Sequence, residues 1–323
     1  MLLEVRDLAA YFFLDEGVLK AVDGLSFDLD AGETLALVGE SGCGKTIVAL
    51  ALLGIVPSPG RVVRGSIRFD GVELIGANSA VLRRARGAGI GIVFQEPGTA
   101  LNPVMTIGRQ IADVVRLHRG LNKHDANAEA VRLLGEMGIP EPEKRAKSYP
   151  HELSGGMRQR ATIAIAVSAR PMLLIADEPT TALDVTIQAE ILDLLAQLKR
   201  DFGMALLIIS HDIGVVESLA DRVMVMYAGK LFEAGAADVV FGEPRHPYTT
   251  ALMGAVPRLG VNRHTPLVGI PGAVPDLLAL PPGCSFHPRC TLGDASCTSA
   301  FPPLEVVAGR LCACYKVHDV VTT

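Results

Sequence analysis

The sequence predicts an α/β fold in which buried strands alternate with helices. Three observations support this prediction: short apolar runs of strand length, helical periodicity between the runs, and hairpin signals at two places in the chain. The apolar runs are residues 35–38, 90–94, 172–176 and 204–209. Continuous runs of this length are typical of strands buried within an α/β domain. The 323 residues allow one large α/β domain and a smaller appendage.

A glycine-rich turn follows the first apolar run and precedes a helical segment that ends at Gly54. Its residues fit G-x-x-x-x-G-K-[ST] at every fixed position. The glycines let the backbone curl so that successive N–H groups point at phosphate oxygens, and the helix N-terminus adds partial positive charge. Lys45 would reach the β- and γ-phosphates, and Thr46 would offer its hydroxyl to Mg²⁺. The predicted phosphate-binding residues are Gly39, Glu40, Ser41, Gly42, Cys43, Gly44, Lys45 and Thr46.

Alternating polar and apolar residues dominate the first part of the chain. Leu3–Arg6 and Leu25–Leu29 alternate, and a hairpin is indicated around Asp70-Gly71. A second hairpin is indicated around Ala228-Gly229. The aromatic cluster Tyr11–Phe13 lies in the first of these regions, and a ring there would either stack on an adenine base or pack in the core.

Polar residues stand where three later apolar runs end. The run at 90–94 is followed by Gln95, the run at 172–176 by Asp177 and Glu178, and the run at 204–209 by Ser210 and then His211. Ligands gather at the carboxyl ends of strands in open α/β sheets. Asp177 would hold Mg²⁺, Glu178 would orient or deprotonate a lytic water, Gln95 would contact Mg²⁺ or that water, and His211 would sense the γ-phosphate. A lone histidine at a strand end is more often structural.

A helical region covers residues 106–147, and Ser154 then precedes a further buried helix as a good N-cap. Gly155 and Gly156 would expose backbone N–H groups, which makes this a second place for a phosphate to bind. Taken alone, the segment is ordinary helix capping. A further apolar stripe, between Asp184 and Gly203, is interpreted as a core-facing helix.

Charge and hydropathy exclude some partners and locations. The 30 Lys and Arg residues against 35 Asp and Glu form no basic stripe, so nucleic acid is not an expected partner. The longest apolar runs fall well short of the roughly 20 residues that cross a bilayer. The first residues carry acids and no cationic start, so we expect no signal peptide and a cytosolic protein. In the cytosol, the six cysteines are expected as thiols or metal ligands.

The composition of the chain changes near residue 240, where prolines become frequent and helical periodicity extends over only short segments. We expect an appendage that runs over a surface, with Tyr248–Val256 as its only clear helix. It carries five of the six cysteines. These are Cys284, Cys290, Cys297, Cys312 and Cys314.

In order along the chain, these motifs resemble those of the ATPase subunits of ABC transporters. The matching positions are Gly39–Thr46, Gln95, Leu153–Arg160, Leu174–Pro179, Ala182–Asp184 and His211. Finer features resemble the D-type ATPase subunit of oligopeptide/dipeptide importers. They are Phe94–Pro97, Leu101–Pro103, Tyr149–His151, Asp177–Thr186, His246–Tyr248 and Gly283–Cys290.

The resemblance implies a P-loop NTPase fold. A RecA-like mixed sheet would be joined by an antiparallel β subdomain, a helical ABC subdomain at about residues 96–165, and a cysteine-containing C-terminal extension. The implied domains are a nucleotide-binding domain at 1–240 and the extension at 241–323.

The resemblance also implies a mechanism and partners. Two such ATPases, this chain and a paralogous F-type subunit, would sandwich two ATP molecules head to tail. Ser154, Gly155 and Gly156 of one chain would complete the site of the other, with Phe12 on the adenine and Asp184 at the seam. The partners would be a second, F-type ATPase, two transmembrane permease subunits and, indirectly, an extracytoplasmic substrate-binding protein. The chain would lie at the cytoplasmic face of the membrane.

The function expected from the resemblance is ATP hydrolysis that energises import of di- or oligopeptides. An alternative keeps this role with another cargo, such as nickel chelates, glycosides or opines. A remote alternative is a soluble ABC ATPase of DNA repair or translation, but those usually carry two cassettes or long coiled-coil inserts.

The cysteine tail leaves three interpretations open. Cys284, Cys290, Cys297 and Cys314 match the tail pattern of the family, and Cys312 is an extra. Their wide spacing would suit a [4Fe-4S] cluster. Zinc with His287 as a further ligand, or plain buried thiols, are the alternatives.

Overall fold

The computed structural model describes residues 1–181, 183–255 and 269–317. The described residues form two compact units. The first unit comprises Met1, Leu29–Glu33 and Gly76–Ile208, and the second comprises Leu2–Asp28, Thr34–Ile75 and the described part of Ile209–Thr323. The domain division at residue 240 follows sequence motifs instead, and it stays a prediction.

Strands are distributed along both units. In chain order they are β1 (Leu3–Leu14), β2 (Gly17–Leu29), β3 (Thr34–Val38), β4 (Gly60–Phe69), β5 (Val72–Glu73), β6 (Ile90–Val93), β7 (Leu173–Asp177), β8 (Ala205–Ser210), β9 (Arg222–Tyr227), β10 (Lys230–Ala236), β11 (Glu305–Val307) and β12 (Arg310–Cys312).

The helices cluster in the middle of the chain. They are α1 (Lys45–Leu52), α2 (Ser79–Ala85), α3 (Pro97–Ala100), α4 (Ile107–Arg119), α5 (Lys123–Glu136), α6 (Pro142–Arg145), α7 (Gly155–Val167), α8 (Val185–Phe202), α9 (Ile213–Glu217), α10 (Ala237–Gly242) and α11 (Pro247–Gly254). Short 3₁₀ turns cover Pro150–Glu152, His287–Arg289 and Ala295–Thr298.

An antiparallel sheet of order β2-β1-β4-β5 lies in the second unit. Leu3 pairs with Phe69, and Phe12 pairs with Gly60, at the two ends of the β1–β4 ladder. The β4–β5 turn places Asp70 and Gly71 at φ angles of 47° and 75°. Both angles are positive, as a two-residue hairpin turn requires, and they confirm the predicted hairpin and the predicted antiparallel subdomain.

A second run of strands in this unit has the order β11-β12-β10-β9-β3. Strand β3 is parallel to β9, whereas β10 is antiparallel to both β9 and β12. This mixture confirms the predicted mixed sheet. All five residues of β3 are buried, as its continuous apolar sequence predicts.

The first unit combines parallel strands with the helical part of the chain. Its strands have the order β8-β7-β6, and β6 and β7 are parallel. Every residue of β7 is buried, and α3 to α7 cover the predicted helical subdomain. Helix α8 begins after Asp184 and ends at Gly203, which has a φ angle of 63°.

The expectation that the C-terminal extension runs over a surface is wrong for part of it. Strand β12 pairs with β10, so the extension lengthens the sheet of the second unit. Helix α10 also precedes α11 and was not expected. The predicted helix over Tyr248–Val256 is confirmed as α11. Its last predicted residue, Val256, lies outside the described residues. Ala182, the first residue of the motif Ala182–Asp184, also lies outside them.

Candidate functional site: a phosphate loop and an acidic strand end

The phosphate loop, Gly39–Thr46, connects β3 to α1. Gly39 and Gly44 have φ angles of 153° and 103°, which side-chain-bearing residues rarely adopt. A Cβ added at Gly39 would lie 2.2 Å from the carbonyl oxygen of Met226, and one added at Gly44 would lie 2.0 Å from the carbonyl oxygen of Ala21. Gly44 is the N-cap of α1 and adds no side-chain cap to its first turn. A curled loop that ends in such a helix N-terminus fits an anionic phosphate.

Lys45 is buried within this loop, with its side chain held by backbone. Its Nζ donates to the carbonyl oxygens of Gly39 at 2.8 Å and of Glu40 at 3.0 Å. The Sγ of Cys43 lies 3.7 Å from the same ammonium, and burial raises the pKa of the Cys43 thiol. Phosphate oxygens carry charge and are stronger partners for an ammonium than neutral carbonyls are. Lys45 is therefore placed to exchange loop carbonyls for phosphate.

Glu40, the second residue of the loop, is held by two residues that sequence reasoning missed. Its N–H donates to the hydroxyl of Tyr248 at 2.8 Å. Its carboxylate accepts two bonds from the Arg289 guanidinium, at 2.6 and 3.0 Å. Both residues stand in motifs singled out as family features, His246–Tyr248 and Gly283–Cys290, but no local pattern links them to the loop.

In the first unit, the structure brings Gln95 and Glu178 together. The Nε2 of Gln95 donates to Oε2 of Glu178 at 2.7 Å. The hydroxyl of Thr181, which sequence reasoning did not place in the site, donates to the same oxygen at 3.0 Å. Asp177 and Glu178 are 1% and 8% exposed. Two adjacent, nearly buried carboxyl groups are costly without a cation, which suits a site that takes Mg²⁺.

Glu178 also has an unusual backbone. Its φ angle is 47°, in the left-handed region that costs a residue with a side chain roughly 1–2 kcal/mol. Thr181 donates its own N–H to the Glu178 carbonyl at 3.2 Å and so stabilises the turn. Such strain is typical of functional positions.

The other predicted residues of the first unit begin helices. Ser154 caps α7 by accepting the N–H of Met157 at 3.3 Å, and Gly155 and Gly156 form its first two positions. Asp184 caps α8 by accepting the N–H of Ile187 at 3.0 Å. Ser154, Gly155 and Asp184 are exposed. These side chains are structural caps on their own helices, and their predicted roles toward a nucleotide stay predictions.

Phe12 and His211 belong to the second unit. The ring of Phe12 is half-buried and packs on Gly60 of the neighbouring strand, where a Cβ would lie 2.6 Å from the ring. Packing on β4 accounts for this ring without a base. His211 is exposed and follows β8 directly. Adenine stacking and γ-phosphate sensing stay predictions for these two residues.

The cysteines of the extension are close enough to influence one another. The pKa values of Cys284, Cys290 and Cys314 are raised, first by burial and then by neighbouring cysteines, Cys297 among them. The pKa of Cys284 rises to about 11 and that of Cys314 to about 12, so both are protonated at neutral pH. In residues 1–181, 183–255 and 269–317, no group of three or more His, Cys, Asp or Glu could hold a metal ion. The structure therefore gives no support to the predicted iron–sulfur cluster or to zinc.

Fold and loop geometry together define a P-loop nucleotide-binding cassette. Two family profiles match the sequence: "ABC transporter" over residues 22–181 and "Oligopeptide/dipeptide transporter, C-terminal region" over residues 232–297. The oligopeptide transport ATP-binding protein OppD of Salmonella typhimurium is 50% identical over 98% of this chain and 94% of its own length. A putative peptide import ATP-binding protein of Brucella abortus is 47% identical over 97% of this chain and 94% of its own length.

Solved structures agree at the level of the fold. The post-hydrolysis dimer of the ATP-binding cassette MJ0796 matches 73% of this chain and 98% of its own, with a TM-score of 0.66 and 24% identity. The cbiO1 protein of Clostridium perfringens matches 75% of this chain and 91% of its own, with a TM-score of 0.63 and 28% identity.

The chain belongs to the ABC transporter family, and within it to the ATP-binding subunits of the oligopeptide/dipeptide transporter group. Its chemistry is ATP hydrolysis, with ATP and Mg²⁺ as the ligands of that family. In the part of the chain that the structure describes, we find no helix with the length and apolar character of a membrane span.

Proposed function

We propose that this chain is the ATP-hydrolysing subunit that energises import of di- or oligopeptides through a membrane ABC transporter. The observation that carries the proposal is the extent of the similarity. Identity of 50% to OppD extends over 98% of the chain, so it includes the C-terminal extension as well as the cassette. A family profile of oligopeptide/dipeptide transporters covers part of that extension separately.

Within this function, the phosphate loop binds the triphosphate. Backbone N–H groups of Gly39–Thr46 and the ammonium of Lys45 carry the charge of the phosphates. Phe12 packs on the adenine, and His211 contacts the γ-phosphate. The backbone of the loop is already curled, and a Cβ at Gly39 or Gly44 would clash with neighbouring backbone, which supports a preorganised binding site.

Glu178 is the general base of the proposed reaction. Its carboxylate takes a proton from the attacking water, while the amide of Gln95 and the hydroxyl of Thr181 hold that carboxylate in place. Thr46, Gln95 and Asp177 would hold Mg²⁺, which when bound neutralises the charge of the phosphate oxygens. The observed bond between Gln95 and Glu178 supports this assignment.

The proposed assembly contains two cassettes head to tail. The segment Ser154–Gly156 and the side chain of Asp184 are directed to the second cassette, an F-type paralogue, whose nucleotide they help to enclose. Exposure of Ser154, Gly155 and Asp184 leaves them accessible for this role. Two permease subunits bind the cassettes at the cytoplasmic face of the membrane, and a substrate-binding protein delivers the cargo on the other side.

Reconstitution tests the cargo. The chain would be co-expressed with candidate permease subunits and a second ATPase, and ATP hydrolysis would be measured in liposomes with a candidate receptor protein. Stimulation by peptide-loaded receptor is expected. Stimulation only by receptor loaded with a nickel chelate, a glycoside or an opine would support the alternative cargo, and a chain that forms no complex with permeases would contradict transport.

The catalytic assignment is tested by Glu178→Gln. This variant keeps the shape of the side chain but removes its basicity, so we expect the rate of ATP hydrolysis to fall about 100-fold or more while ATP binding persists. Glu190→Gln is the matched control, because Glu190 lies on α8 in the same unit and pairs at the surface with Arg160. Hydrolysis at the unmodified rate in Glu178→Gln would remove the general-base role.

The predicted iron–sulfur cluster is tested separately from the ATPase. Protein purified without oxygen would be analysed for iron, acid-labile sulfide and zinc. Stoichiometric iron and sulfide that disappear in a variant lacking Cys284 and Cys290 would support the cluster. A colourless protein that contains no iron, sulfide or zinc would leave buried thiols as the interpretation.

A further inference from the structure

The side chain of Arg289 uses every hydrogen-bond donor it has. Two N–H groups bond the carboxylate of Glu40, at 2.6 and 3.0 Å, and one bonds the hydroxyl of Tyr227 at 3.1 Å. The remaining two donate to the carbonyl oxygens of Pro271 at 2.8 Å and Ile270 at 3.4 Å. Five satisfied donors in a planar fork fix the guanidinium in one position, which a lysine cannot reproduce.

Rings of the second unit enclose this ion pair. The guanidinium carbon lies 5.8 Å from the ring centres of both Tyr227 and Phe286. Tyr248 packs against the same two rings, with centroids 4.7 Å from Tyr227 and 5.2 Å from Phe286. The side chain of Arg289 is 5% exposed and that of Glu40 is 23% exposed. The pair is thus shielded from water, and in such surroundings an ionic interaction is stronger than at the surface.

The negative charge of Glu40 is unfavourable for phosphate binding, and its surroundings offset that charge. A carboxylate within a phosphate-binding loop repels the triphosphate that the loop must hold. Arg289 neutralises that charge, and its own pKa is held far above the usual value by the Glu40 carboxylate. The hydroxyl of Tyr248 takes up the Glu40 N–H, which fixes the backbone at the same residue.

We propose that Arg289 and Tyr248 are positioning residues through which the C-terminal extension sets the affinity of the phosphate loop for ATP. Arg289 cancels the charge of Glu40 and anchors its side chain, and Tyr248 anchors its backbone. The extension is therefore part of the nucleotide-binding apparatus as well as an addition to the sheet. This inference rests on ATP occupying Gly39–Thr46, as in the proposed function.

Substitution of Arg289 tests the charge. In the full-length chain, Arg289→Gln leaves the carboxylate of Glu40 uncompensated, so we expect the dissociation constant for ATP to rise about tenfold. In the assembled transporter, the KM for ATP rises similarly while kcat at saturating ATP changes less than about threefold. Tyr248→Phe keeps the ring but loses the acceptor for the Glu40 N–H, and a smaller rise is expected.

The double variant separates charge compensation from a loss of structure. Glu40→Gln in the Arg289→Gln background removes the unpaired carboxylate, so ATP affinity is expected to return to within about threefold of the unmodified protein. A purely structural role predicts the opposite, since the two losses would add. Lys316→Gln is the control, because it breaks another ion pair of the extension, with Asp294 at 2.5 Å.

Calorimetric titration with ATP, together with thermal unfolding of each variant, gives the outcome. The inference is overturned if folded Arg289→Gln binds ATP as the unmodified chain does, or if the double variant binds no better than Arg289→Gln. Failure of the unmodified chain to bind ATP would instead contradict the proposed function. The two failures are therefore distinguishable.

Discussion

At the scale of single residues, the glycines of the phosphate loop differ in what they require. Gly42 and Gly44 both have positive φ angles, of 80° and 103°. A Cβ at Gly42 would meet nothing within 4 Å, whereas one at Gly44 would lie 2.0 Å from a backbone oxygen. The motif fixes Gly44 and leaves position 42 variable, and the space around the two residues gives the physical reason.

We therefore predict that Gly44→Ala destabilises the protein more than Gly42→Ala does. Each substitution strains the left-handed backbone by about 1–2 kcal/mol, but only Gly44→Ala also displaces the backbone of Ala21. Urea unfolding of both variants beside the unmodified chain measures the difference. Equal losses of unfolding free energy would show that close packing at Gly44 adds nothing.

At the scale of elements, α4 and α5 are joined by a charged cluster centred on Glu129. Its carboxylate accepts from Arg132 on α5 at 2.7 Å and from Arg119 at the end of α4 at 2.5 Å. The Arg132 bonds are the largest influence, and together with Arg119 they lower the pKa of Glu129 to about 2. The Glu129 side chain is 12% exposed, so solvent screens these interactions only in part.

This cluster predicts a specific acid dependence of stability. Because the pKa of Glu129 is depressed in the folded protein, its stabilisation is complete above the unfolded value near 4.5 and is lost as pH falls toward about 2. Glu129→Gln should therefore be less stable than the unmodified chain at pH 6, and the difference should shrink by pH 3.

Chemical denaturation at both pH values checks this expectation. Glu136→Gln is the matched control, since Glu136 pairs with the same Arg132 but is 41% exposed. A difference for Glu129→Gln that stays constant between pH 6 and pH 3 would contradict the assignment.

At the scale of the whole molecule, the C-terminal extension is bound to the sheet by a buried charge. Arg310 of β12 and Glu233 of β10 are 2% and 0% exposed at their side chains and lie 3.7 Å apart. Glu233 also accepts the N–H groups of Arg245 and His246, each at 2.9 Å. Burial raises the pKa of Glu233, so the neighbouring guanidinium matters for keeping it ionised.

We predict that Arg310→Gln destabilises the protein by about 3 kcal/mol, because it leaves a buried carboxylate without its cation. Lys316→Gln breaks the ion pair with Asp294 in the same extension, whose two side chains are 23% and 50% exposed, and should cost much less. Thermal and urea unfolding compare the two. Similar small losses would mean that Arg310 is dispensable and that backbone pairing alone holds β12.

The sequence by itself determined the cassette fold, the phosphate loop and the acidic strand end. These features arise from neighbours in the chain: continuous apolar runs, turn dipeptides such as Asp70-Gly71, and caps such as Ser154. Only the tertiary structure decided that β12 pairs with β10 and that Arg289 reaches Glu40 across 249 positions. Such pairs depend on where the chain returns in space, and they leave no periodic or local signal that sequence reasoning can detect.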